Sequence, residues 1–305
     1  MTLDSDPYNK RAGDVVALDV GGTHIRIGHL HNDVPCTTFN TLNSSELRVD
    51  NAYDALCNII SRYADDFALD VHAVVLGLPG MLNQAADTIT HCNNIRQLEG
   101  QGLRSRLEAA LNCKVILEQD TMLQVLGEWQ SGAAKASSSV FGVYYGTGIG
   151  AAYLLNGNPR VHSAAGLQAG HIPIMADGKS CICGNKDCIE AYACGHTLLE
   201  IAQAHNCPVE EVFIKENRFE LQKELDTFIQ YQAYLIATLI TLFVPDTILV
   251  GGGIPQMKEY PRDSLIKHVQ AHLQKPYPAE TTRIVWATLG NASILHGARA
   301  LLALP

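Results

Sequence analysis

One histidine and three cysteines share a short stretch in the pattern His171-x9-Cys181-x-Cys183-x4-Cys188. An imidazole nitrogen and three thiolates fill a tetrahedral zinc shell with no open position, the composition of a structural site. Such an ion would brace a loop that otherwise lacks a core of its own. Cys194, just beyond, is an alternative ligand, and reduced cysteines beside an unrelated histidine are the plainer reading. Cys36, Cys57, Cys92, Cys113 and Cys207 stand alone, in contexts that read as small buried apolar residues. An odd total of nine with one tight cluster points to metal and not to a disulfide framework.

A second chemistry sits in three glycine turns. Asp19-Val-Gly21-Gly22-Thr23 sets a carboxylate at a strand end, then two residues without Cβ, then a hydroxyl. Backbone N–H groups at such a turn approach phosphate closely, and the threonine adds a donor. The carboxylate suits Mg²⁺, directly or through water. The pattern is neither a Walker loop nor a Rossmann fingerprint, because no helix follows the turn. A hairpin that needs glycine for its backbone angles would look the same. Gly146-Thr147-Gly148 and Gly251-Gly252-Gly253 repeat the motif, so all three turns could converge on one nucleotide: the first two on phosphates, the third on adenosine. Against this, the chain's 25 glycines must lie somewhere.

The elements that would position these groups are legible from periodicity. Val15–Val20 and Ile25–Leu30 read as strands around the first turn, and Val140–Tyr145 and Ala151–Leu155 around the second. Val71–Leu78 is a strand ending at Gly77-Leu-Pro-Gly80, and Val115–Leu117 a brief strand leading to Asp120. Helices are expected over Asn51–Tyr63, Leu103–Leu111, Asp120 to about Gly132, Glu190–Ala204, Glu220–Leu242 and about Ala292–Leu302. Thr247–Val250 is the strand before Gly251. Two halves that each open on a glycine hairpin suggest duplicated lobes facing a cleft, an α/β architecture. The expected division is residues 1–125, with the last helix (about 290–305) packing back on them, and residues 126–289 carrying the cysteine block.

The chain has 305 residues and 33.1 kDa, with 47% apolar and 17% charged residues, which excludes a mainly disordered chain. Lys and Arg number 22 against 31 Asp and Glu, for a net charge of −9, which argues against a broadly basic nucleic-acid surface. Apolar runs are too short to span a bilayer. The polar start, Met1–Gly13, has no signal-peptide core. A cytoplasmic protein without nucleic-acid or membrane partners is expected.

Taken together, Asp19-Val-Gly-Gly-Thr-His-Ile-Arg26, Gly146-Thr-Gly-Ile-Gly150, Gly170-His171 and Cys181-Ile-Cys-Gly-Asn-Lys-Asp-Cys-Ile-Glu190 resemble the ROK family of bacterial sugar kinases and sugar-responsive repressors. The resemblance implies the two-lobed actin/Hsp70/hexokinase-like (ribonuclease H-like) fold, closing over Mg²⁺·ATP and a hexose, with a structural Zn²⁺. It implies Asp120 as the base that accepts the sugar hydroxyl proton, although a helix N-cap aspartate would stand at the same place. It implies hexose contacts from Gly80, Asn94, the Gln168 position, His171 and Glu190, with His171 holding zinc through one nitrogen and sugar through the other. A surface glutamate at a helix start is the plainer reading of Glu190. A homodimer is a family-level expectation. Within the family, Phe243–Gly253, Tyr260–Leu265, Thr23–Arg26, Leu111–Cys113 and His171–Pro173 look most like its D-allose-phosphorylating branch.

Departures from the family pattern fall around the sugar. Gln168 stands where a glutamate is usual, keeping a carbonyl acceptor but losing the charge. Gln119 and Met122 replace asparagines beside Asp120, and Asp187 replaces a glycine in the cysteine block. These changes are expected to shift specificity toward another hexose, such as glucose, fructose or N-acetylmannosamine, or to mark a sugar sensor that has lost catalysis. A repressor is disfavoured, because the 18 residues before Asp19 are too few for a helix-turn-helix module.

Overall fold

A computed structural model describes residues 13–92, 94–100, 102–159, 166–174, 178–214 and 219–304. Of the polar start read over Met1–Gly13, residues 1–12 lie outside them. The chain resolves into two compact units: one takes the described residues to Ser131, Gly166, and everything from Leu289; the other takes Gly132 onward and Leu167–Thr288.

In the first unit, β1 (Asp14–Val20) is buried along its whole length and turns at Gly21–Thr23 into antiparallel β2 (His24–His31). Short β3 (Val34–Pro35) and β4 (Asn40–Asn43) both pair with β2. Helix α1 (Ala52–Asp66) buries Leu56, Ile60 and Tyr63, the stripe that its i, i+4 and i+7 spacing sets. The chain then enters β5 (Val71–Leu78), parallel to β1, and the small hairpin β6 (Met81–Leu82) and β7 (Ile89–His91). Helix α2 (Leu103–Leu111) leads to β8 (Lys114–Gln119), parallel to β5, and then α3 (Asp120–Ser131). The carboxyl ends of β1, β5 and β8 thus share one edge of the sheet, the edge where open parallel sheets bind ligands.

The second unit repeats this order. Strand β9 (Ser139–Tyr145) turns through Gly146–Gly148 into antiparallel β10 (Ile149–Leu155). Next come α4 (Glu190–Ala193), α5 (Gly195–Ala204), the long α6 (Phe219–Phe243), β11 (Thr247–Gly251), α7 (Arg262–Ala271) and β12 (Arg283–Trp286). The sheet runs β10-β9-β11-β12, with β11 parallel to both of its neighbours. Each unit has its own apolar core, one around Leu18, Ile27, Leu76 and Leu117, the other around Phe141, Phe228, Ile236 and Val250.

The last helix, α8 (Ser293–Leu302), belongs to the first unit and packs on α3. Two glycines let the backbones meet. A Cβ on Gly127 would overlap the Ser293 carbonyl, and one on Gly297 the Leu123 carbonyl. The pairing is reciprocal and antiparallel, and it fixes the helix that begins with Asp120.

Some expectations are corrected. The helix read over Glu190–Ala204 breaks at Cys194, whose φ of −108° and ψ of 179° are extended. The break lets the Gly195 N–H reach the Gly146 carbonyl at 2.8 Å. Cys92 and Cys113 are buried as read, but Cys36, Cys57 and Cys207 are only partly so. None of the nine cysteines forms a disulfide. Among the described residues, no helix is long and apolar enough to cross a membrane.

Candidate active site

The candidate residues divide between the two units. In the first, Asp19 and Arg26 face each other across the β1–β2 hairpin, and the guanidinium meets the carboxylate at 3.2 Å. Burial pushes the Asp19 carboxyl up and the Arg26 charge partly offsets this. The turn between them is held from outside. Ser44 Oγ donates to the Gly21 carbonyl at 2.7 Å, and Arg48 donates to the Gly22 carbonyl at 2.5 Å and the Asn94 carbonyl at 3.1 Å. Among the described residues the amides of Gly22 and Thr23 have no acceptor, which leaves them for an anion. Asn94 reaches the same turn: its Nδ2 lies 3.0 Å from where a Gly22 Cβ would stand.

Asp120 opens α3 one residue past β8. Its Oδ1 accepts the Thr121 N–H at 2.6 Å and the Thr121 hydroxyl at 3.2 Å, so the capping role read from sequence is present. Its Oδ2 has no hydrogen bond among the described residues. Burial first, and then the Asp19 charge, raise the carboxyl to about 7, above the ordinary carboxylate range; the Thr121 bonds oppose this. A carboxylate with one oxygen anchored, one open and an affinity for protons near neutrality has the properties of a general base. Beside it, Gln119 Nε2 donates to the Gly80 carbonyl at 2.9 Å. Gly80 needs to be glycine, with φ +107° and the His91 carbonyl in the place of a Cβ. Met122, two residues past Asp120, is buried at 6% exposure.

In the second unit, the Gly146 N–H closes on the Gly148 carbonyl at 2.9 Å, and the amides of Thr147 and Gly148 have no acceptor among the described residues. The third glycine turn lies beside the end of β9. A Cβ on Gly251 would run into the Tyr144 ring and one on Gly252 into the Tyr145 backbone. Gly253 alone faces open space, which is what a ligand needs for close approach.

His171, Cys181, Cys183 and Cys188 come together, their ligand atoms all within 4.8 Å of one another. Cys181 Sγ lies 3.6 Å from His171 Nδ1, and Cys183 Sγ 3.6 Å from Cys188 Sγ. Bonds of about 2.3 Å to sulfur around a tetrahedral ion set ligand separations of about 3.8 Å, so these residues fit zinc. Cys194 falls outside the group. Asp187 holds a φ of +58°, the left-handed region that favours glycine. Its carboxylate accepts the Gly178 N–H at 2.8 Å and the Tyr192 hydroxyl at 2.5 Å, bonds a glycine could not make. Gln168 is exposed and precedes the turn Ala169–His171, its backbone carbonyl accepting the His171 N–H at 2.9 Å. Glu190 Oε2 accepts the Ile149 N–H at 2.7 Å, and its Oε1 is 4.0 Å from His171 Nδ1.

Sequence reasoning passed over Arg26, Ser44 and Arg48 as supports of the first turn. Arg26 could have been found, because a hairpin whose strands end at Val20 and resume at Ile25 puts it opposite Asp19. Ser44 and Arg48 come from the segment after β4 and carry no local signal.

The family model for "ROK family" matches residues 15–304. The chain belongs to the ROK family. Among ROK relatives, it is 28% identical to an N-acetyl-D-glucosamine kinase of Aliivibrio salmonicida over 301 residues, covering 93% of this chain and 98% of that one. It is 27% identical to a glucokinase of Halalkalibacterium halodurans, covering 92% and 93%. A ROK family glucokinase from Streptomyces griseus, solved with glucose and AMPPNP, superposes with a TM-score of 0.81 at 22% identity, covering 95% of this chain and 99% of that one. ROK membership accounts for the two-domain α/β architecture of the actin/hexokinase-like type.

Proposed function

We propose that the chain is an ATP-dependent hexose kinase that phosphorylates a hexose 6-hydroxyl, with Asp120 as general base. The observation that carries this is the Asp120 carboxyl: one oxygen open, and a proton affinity raised to about 7 at the ligand-binding edge of a parallel sheet. The hydroxyl proton passes to Asp120 as the sugar oxygen bonds to the γ-phosphorus. The bond to the β,γ-bridging oxygen breaks and ADP leaves. The open amides at Gly22–Thr23 and Thr147–Gly148 take phosphate oxygens, and Gly253 leaves room for the adenosine. Mg²⁺ bound through Asp19 would neutralise phosphate charge.

The acceptor is a hexose held by Gly80, Asn94, Gln168, His171 and Glu190. D-Allose is the first candidate on the sequence likenesses above, beside D-glucose and N-acetylglucosamine, which the names of the two relatives suggest. ADP release from Mg²⁺·ATP across these sugars, D-fructose, D-mannose and N-acetylmannosamine tests the assignment. Turnover with one sugar supports it; sugar binding without any turnover would make the chain a sensor instead.

Two expectations follow from the same groups. The base must be unprotonated, so kcat/KM for hexose should fall as pH drops through about 7. A profile flat down to pH 5 would remove Asp120 from that role. The purified protein should also carry about one zinc per chain, lost in Cys188→Ser. Because the imidazole is oriented by the ion, that variant's hexose KM should rise by roughly tenfold or more. Metal analysis showing no zinc in the wild type would contradict this.

A further inference from the structure

Glu190 has one of its two carboxylate oxygens already committed within the fold. Its side chain is 13% exposed, and its Oε2 takes the Ile149 N–H at 2.7 Å, one residue past the Gly146–Gly148 turn. The surrounding backbone is shaped to it. A Cβ on Gly148 would stand 2.7 Å from Oε2, so this glycine clears space for the carboxylate; one on Gly170 would meet Ile149 first, at 3.1 Å, with Oε2 at 3.2 Å. The other oxygen is 4.0 Å from His171 Nδ1, the nitrogen nearest Cys181 Sγ. Five residues along, the Gly195 N–H holds the Gly146 carbonyl at 2.8 Å, made possible by the break at Cys194. The turn is therefore gripped at both ends by the segment Glu190–Gly195, once by a side-chain acceptor and once by a backbone donor.

We infer that Glu190 is a positioning residue for the nucleotide phosphates: it ties the Gly146–Gly148 turn to the His171–cysteine block and fixes the open Thr147 and Gly148 amides. The inference deepens the kinase reading above and rests on it. It differs from a sugar contact in what it predicts, because a sugar ligand has no reason to alter nucleotide binding when no sugar is present. A strut does.

The test is calorimetric titration of the full-length protein with Mg²⁺·AMPPNP in the absence of hexose. Glu190→Gln keeps a carbonyl oxygen for the Ile149 N–H and should retain wild-type affinity within about twofold. Glu190→Ala frees the turn, and Gly148→Ala drives a methyl against the carboxylate; each should weaken the nucleotide roughly tenfold. In the Glu190→Ala background, Gly148→Ala should add little, since the oxygen it meets is gone. If Glu190→Ala does not fold, Gly148→Ala against Glu190→Gln carries the comparison. Equal affinities in all folded variants would overturn the inference and leave the kinase reading standing. A wild type that binds no nucleotide would overturn that reading itself.

Discussion

Asp120→Asn should lower turnover by about 10³-fold or more while leaving the protein at least as stable as the wild type. The amide cannot accept the hydroxyl proton, but it keeps the Oδ1 that takes the two Thr121 bonds at 2.6 and 3.2 Å, so the start of α3 stays capped. The stability follows from the raised carboxyl. Folding lifts its proton affinity from the ordinary value to about 7, so the ionised form is disfavoured in the native state. That cost is absent below the unfolded value of 3.8, grows as pH rises toward about 7, and is complete above it. Converted at full strength it is at most about 4 kcal/mol, and solvent contact at the carboxyl reduces it. The Asn variant should therefore melt higher than the wild type at pH 8 and alike at pH 4. A variant that loses activity together with stability at pH 8 would mean that Asp120 serves the fold first.

Gly297→Ala should destabilise the chain strongly for a single added methyl. Helix propensity alone would make this change favourable by about 1 kcal/mol. The added Cβ, however, lands on the backbone carbonyl of Leu123, which cannot swing aside as a side chain can. Overpacking of this kind costs about 3 kcal/mol, so the clash wins and the melting temperature should fall by about 5–10 °C. Gly127→Ala, against the Ser293 carbonyl, should do the same. Both push on α3 and so on Asp120, so the loss of kcat should exceed what the unfolded fraction explains. A melting temperature that rises would show that the two helices separate without cost.

Much of the framework was written in local pattern. Val71–Leu78 and Leu103–Leu111 have the bounds that periodicity set, and Asp120 starts its helix where strand gives way to it. The duplicated hairpins became two sheets that share a four-strand order, β2-β1-β5-β8 in one and β10-β9-β11-β12 in the other, the first adding β3 and β4. What escaped was decided at a distance. Strand β12, Arg283–Trp286, is short and only partly buried, and its pairing with β11 defines it. The break at Cys194 goes with the bond from the Gly195 N–H to the carbonyl of Gly146, 49 positions before Gly195 in the sequence. Among the site residues, glycines, thiols and carboxylates announced themselves by type. Their supports did not: Arg48 reaches Gly22 and Asn94 from a loop, and the bonds that suit Asp187 to a glycine conformation come from Gly178 and Tyr192. Glu190 was visible as a motif residue, but its hold on Ile149 was not.

The most direct measurement follows the phosphoryl group itself. Protein is incubated with Mg²⁺, ATP labelled at the γ-phosphate and each hexose in turn, and the label is located. Label on the 6-oxygen of one hexose, matched one to one by ADP and lost in Asp120→Asn, is the predicted result. Label that stays on ATP with every hexose, or appears only as inorganic phosphate, would contradict it.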